Sequence, residues 1–123
     1  MENRRKEKRF EEENRVVIHS ARNTEGATQH MEINASTHNL SLGGARITSH
    51  KVFPVGTVLR IQIHLERSSQ AVKLDGRVIW VNKIQEKDLY EFGVEFLHHI
   101  SKTVLSLIRH LYGENTDMPT SVS

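Results

Sequence analysis

The chain has 123 residues, 37% of them hydrophobic and 26% charged, which fits one globular domain with a modest core and excludes an extended disordered chain or a two-domain protein. Lys and Arg number 17 against 15 Asp and Glu, and a formal charge of +2 gives little support to bulk nucleic-acid binding. Without cysteine there is no disulfide or thiolate chemistry, and no apolar run reaches the ~20 residues of a membrane span or forms a secretory signal, so a cytoplasmic protein with no membrane insertion is expected.

Residues 1–14 read as a flexible arm. Arg4, Arg5, Lys6, Lys8 and Arg9 alternate with Glu2, Glu7, Glu11, Glu12 and Glu13, and such a segment cannot bury itself, although its basic part can close over an anion. Residues 15–21, with Val16, Val17 and Ile18, form the first predicted strand, ended by the polar turn 22–26. Residues 28–36 alternate with Met31, Ile33 and Ala35 on one face, and a turn at Asn39 then interrupts. A short strand over 45–48 precedes Pro54-Val55-Gly56, a turn signal. In 58–65, Leu59, Ile61, Ile63 and Leu65 alternate with Val58, Arg60, Gln62 and His64, one face apolar and one mostly wet. Residues 71–81 make a long strand expected to bend near Gly76, and 90–97 alternates again with Phe92, Val94 and Phe96 together.

Five or six short antiparallel strands favour an all-β barrel or sandwich, and closure would hide the sheet edges. The period then changes. In 101–112, Val104, Leu107, Ile108 and Leu111 follow helical spacing, with Ser101 as N-cap and Gly113 as stop. This amphipathic helix covers the barrel or serves a partner, and 113–123 reads as a disordered tail. The folded domain is thus 15–112.

Two short motifs stand out: Arg5 and Arg9 four positions apart, then Asn39-Leu40-Ser41-Leu42-Gly43-Gly44, with 29 residues between Arg9 and Asn39. In this order they resemble the PilZ domain family, whose hallmark is RxxxR followed about 20 to 30 residues later by (D/N)xSxxG. The stretches 76–81 and 92–96 also look like the family's buried strand and the strand that ends its barrel, so the resemblance runs over about residues 4–112. It implies a six-stranded antiparallel β-barrel with a C-terminal helix, and a receptor for cyclic di-GMP that signals to an unidentified protein effector without catalysis. It also implies that Arg5 and Arg9 engage guanine and phosphate while the Asn39 to Gly44 segment holds the other side. A basic residue at Arg4 implies an intercalated ligand dimer. Arg46, just past the turn, is a candidate for a flanking phosphate contact.

The residue types suit that ligand. A guanidinium fork can bond a guanine edge or phosphate oxygens and stack on a base, Asn39 both donates and accepts, and Ser41 with the Gly43 and Gly44 amides can donate to phosphate. Two plainer readings stand beside it: a solvated charged arm, and an Asx turn whose glycines supply positive φ. Trp80 reads as core or barrel rim and is left outside the site. The eight histidines show no zinc-enzyme spacing, and no nucleophile elbow, Walker loop or dinucleotide fingerprint occurs, so neither an enzyme nor a metal or other cofactor is expected. Two rival functions remain: a ligand-independent protein adaptor on the same barrel, and a small barrel for single-stranded nucleic acid. The second lacks the aromatic residues that would interleave its basic arm.

Overall fold

The computed structural model describes residues 13–84, 88–97, 109 and 110. Its strands are β1 (Asn14–Arg22), β2 (Thr28–Leu40), β3 (Gly44–Ser49), β4 (Val58–Leu65), β5 (Gln70–Lys83) and β6 (Tyr90–Leu97). All neighbours pair antiparallel, and the sheet closes into a six-stranded barrel in the order β1-β2-β3-β6-β5-β4. Among the described residues no helix is long and apolar enough to cross a membrane.

Period-two alternation explains the core. On β4, Leu59, Ile61, Ile63 and Leu65 are fully buried, as are Ile18 on β1, Ile47 on β3 and Phe92 on β6. Each such side chain contributes about 1.5–3 kcal/mol when removed from water. Phe53, from the β3–β4 connection, packs edge-on against Phe92 with ring centroids 5.8 Å apart.

Two departures from strict alternation matter most. β2 runs four residues beyond the predicted strand, because a register shift between Thr37 and Asn39 inserts His38 as a bulge. Thr37 faces inward, and its hydroxyl donates to the Arg46 carbonyl at 2.8 Å; Leu40 is again fully buried. Asn39 therefore lies within β2, and the turn begins at Ser41. On β5 the irregularity is not at Gly76, which pairs in register with Leu59 and Phe96, but between Val78 and Trp80. Gly76 is a packing position, since a Cβ there would lie 3.1 Å from the Val94 Cβ. The extra residue, Ile79, leaves Val78 inside and puts Trp80 outside, so the 76–81 segment is buried on alternate residues at most.

The barrel starts at Asn14, one residue before the predicted boundary. Asn14 is buried, and its side-chain oxygen accepts from the Glu66 amide at 3.0 Å. Beyond Glu66 a 3-10 turn (Glu66–Ser68) leads into β5. Arg109 and His110 are helical; the remainder of the expected helix, residues 1–12 and the 113–123 tail lie outside the described residues. His110 is fully buried, with Nδ1 2.7 Å from the Ser68 hydroxyl and its carbonyl accepting from Arg67 Nη2 at 2.6 Å.

Candidate functional site

Four outward-facing residues lie in one row across four strands. Asn39 on β2 pairs with Arg46 on β3, Arg46 with Gly93 on β6, and Gly93 with Trp80 on β5. Three interstrand spacings of ~4.8 Å make this row about 14 Å long. In the adjoining row Gly44 pairs with Glu95, and Glu95 with Arg77. An open pocket of about 330 Å³ lies over these rows, bounded by Asn39, Ser41, Gly43, Gly44 and Arg46 on one side and by Ile79, Trp80 and Glu95 on the other.

The two bulges create this face. With strict alternation, an inward Thr37 would put Asn39 inside, and an inward Val78 would put Trp80 inside. One extra residue in each strand turns both side chains out, on opposite flanks of the β3–β6 pair.

The floor is made by glycines. A Cβ on Gly44 would run into the Val94 carbonyl oxygen, so β3 approaches β6 there more closely than a side chain allows. At Gly93 a Cβ would fall 2.5 Å from Cε2 and 2.9 Å from Cδ1 of Trp80, and closer still to Nε1, so the pyrrole edge of the indole occupies that space. Gly44 is not needed for positive φ, which among the described glycines occurs at Gly26 and Gly56. Room, rather than a left-handed turn, is what the motif glycine supplies.

Ser41 shapes the turn. It is only 4% exposed; its amide donates to the Gly44 carbonyl at 3.0 Å, and its hydroxyl accepts from the Gly43 amide at 3.2 Å. The Phe96 amide donates to the Gly43 carbonyl at 2.8 Å and ties the turn to β6. Arg46 Nε lies 3.2 Å from a Glu91 carboxylate oxygen, and Arg77 pairs with Glu95 at 3.4 Å. Of the described residues that line the pocket, Arg46 and Glu95 carry formal charge, and their charges cancel. The arrangement offers amide donors and acceptors, one guanidinium and one aromatic face.

Asn39, Ser41, Gly43, Gly44 and Arg46 thus converge as the sequence motif suggested, whereas Arg4, Arg5 and Arg9 lie outside the described residues. Trp80, Ile79 and Gly93 also line the pocket, where the sequence reading places Trp80 in the core or at the barrel rim. The available signal was Val78-Ile79-Trp80, three large apolar residues in succession where a one-sided strand should alternate.

Comparison with known proteins agrees with this architecture. A family model described as PilZ domain matches residues 3–114. The fold is similar to the inhibitor of motility MotI/DgrA of Bacillus subtilis, with a TM-score of 0.67 and 20% identity over 88% of this chain, which spans about half (49%) of that protein. It is also similar to the PilZ domain of YcgR from Escherichia coli, solved with c-di-GMP, with a TM-score of 0.61 and 16% identity over 89% of each chain. The PilZ domain of CeSA from a cellulose-synthesizing bacterium aligns with a TM-score of 0.53 and 20% identity over 85% of this chain and 95% of that one. A search of curated proteins finds no match. At these identities the likeness to the solved structures is one of fold.

Proposed function

The chain belongs to the PilZ domain family, and from that premise we propose that it is a cyclic di-GMP receptor whose arm arginines close over a nucleotide seated on the Asn39–Trp80 face. The observation that carries this reading is the convergence of Asn39, Ser41, Gly43, Gly44 and Arg46 on one open pocket. The YcgR domain of the same fold is a c-di-GMP complex, which supports the choice of ligand.

Charge and chain geometry support a role for the arm. A doubly anionic ligand on a pocket of zero formal charge needs cations from elsewhere, and the arm carries Arg4, Arg5 and Arg9. Asn14, where β1 begins, pairs with Thr37, two residues from Asn39. Arg9 stands five residues before Asn14, and five extended residues reach about 17 Å, further than the ~14 Å row. Arg5 and Arg9 would grip a guanine edge and phosphate while Asn39 and the Ser41–Gly43 turn hold the other side. Ordering the arm costs entropy and lowers affinity, but creates a surface that a protein effector reads. Arg4 adds the cation that a second, intercalated ligand would need.

Calorimetric titration with cyclic di-GMP tests the proposal, with GTP and Arg9→Ala as controls. Selective binding, weakened at least tenfold in the variant, is expected, since a charged hydrogen-bonded contact contributes about 1.5–3 kcal/mol. The molar ratio reports one ligand or two. Equal binding by Arg9→Ala would exclude the arm from the site.

A further inference from the structure

β2 is longer than its neighbour on one side can cover. β1 pairs with it from Thr28 to Thr37, but β3 pairs with it only from Ser36 to Leu40. The edge of residues 28–35 that faces away from β1 thus has no strand beside it, and among the described residues no backbone hydrogen bond from the 50–57 connection reaches it. An uncovered edge of this kind is a template for another strand. Its side chains are only half put away. Thr28, His30, Glu32 and Asn34 are exposed, while Met31, Ile33 and Ala35 alternate with them and are half-buried against the core. Beside the same edge Val52 is 45% exposed, and it lines a cleft of about 270 Å³ with Phe53, Thr28 and Gln29.

We propose that this edge pairs with the same edge of a second copy, β2 against β2 across a two-fold axis, so that one sheet runs through two barrels. In such an antiparallel pair, residues directly opposite each other share a face, and the axis must therefore pass through a residue rather than between two. Centred on Met31 the ladder runs over 28–34, and centred on Glu32 it runs over 29–35; these are the two longest that the free edge allows. The second sets Glu32 against Glu32, and like charges directly opposite are destabilising. The first sets Met31 against Met31, Gln29 against Ile33, Thr28 against Asn34 and, twice, His30 against Glu32, a ring that can donate facing a carboxylate that accepts. Charge therefore selects the Met31 register, and that ladder ends before β3 takes over at Ser36, so no strand is displaced. The contact uses the first half of β2, apart from Asn39, and stands independently of the receptor reading.

Sedimentation equilibrium of the full chain without nucleotide, from low micromolar to millimolar protein, tests the pairing. The parent should be a dimer at the upper end. His30→Glu sets carboxylates opposite each other twice and should weaken association about tenfold, and adding Glu32→Lys to it exchanges the charges and should restore the parent's association. The register has its own readout, because the chain has no cysteine and Cα atoms paired across an antiparallel ladder lie about 4.5–5.5 Å apart, within disulfide reach. Met31→Cys should give a disulfide-linked dimer under mild oxidation. Ile33→Cys should not, since its two copies would lie four positions, or ~13 Å, apart along the ladder. A parent that stays monomeric throughout would overturn the inference and leave the edge to a strand of another protein. Association unchanged in His30→Glu, or bridging through Ile33→Cys in place of Met31→Cys, would overturn it equally. None of these outcomes depends on whether cyclic di-GMP binds.

Discussion

Gly44→Ala and Gly93→Ala add the same methyl group to neighbouring positions of one site, yet they should differ in consequence because of what each methyl meets. At Gly44 the obstacle is backbone: the Val94 carbonyl oxygen, with its carbon 3.3 Å away and the Glu95 Cα 3.4 Å away. None of these can rotate aside. Relief requires β3 and β6 to part by about 1 Å, which weakens the ladder at the Gly44–Glu95 and Ala45–Val94 pairs and strains the Phe96 amide bond to the Gly43 carbonyl. Two or three weakened bonds at about 1 kcal/mol each, plus residual strain, amount to about 2–4 kcal/mol. For a domain of this size that lowers Tm by on the order of 10 °C. At Gly93 the obstacle is the Trp80 indole, the movable end of a side chain, so the ring swings away and the cost stays near 1 kcal/mol. Thermal and urea unfolding followed by far-UV circular dichroism would measure both, and emission from Trp80 should shift in Gly93→Ala but little in Gly44→Ala. A Gly44→Ala protein melting within about 2 °C of the parent would refute the claim that β3 is pressed against β6 at the motif glycine.

Three further outcomes follow from particular contacts. Asn39→Ala should weaken cyclic di-GMP binding by about tenfold in calorimetry, since the residue lines the pocket. Ile61→Ala, in the middle of β4 and fully buried, should cost about 2–5 kcal/mol in urea unfolding, the range for a large-to-small change in a packed core. Ser68→Ala removes the hydroxyl 2.7 Å from buried His110 Nδ1 and should destabilise by about 1 kcal/mol, with hydrogen exchange faster around His110 than in β4.

Much of the barrel is legible in the chain. β4 and β6 have the boundaries that their alternation predicts, because each buries one face and no residue interrupts the period. The motif was legible for a different reason: its side chains sit within six positions of one another, and a hairpin keeps such neighbours together. Gly44 lines the pocket, but its physical role is room for a strand rather than freedom at φ, and nothing local distinguishes the two.

What the amino-acid order determined by itself was the set of strands, the apolar stripes that fill the barrel, and a small turn between Leu40 and Gly44. These depend on period and on residues close in sequence. Which face Asn39 and Trp80 present was decided only by the tertiary structure. A bulge exists only in relation to its partner strand, and the register of β5 against β6, like that of β2 against β3, is set by closing all six strands at once. Read alone, Val78-Ile79-Trp80 is an apolar run that could all be core. Paired with Gly93, whose missing side chain leaves space for an indole, it becomes one wall of an open pocket.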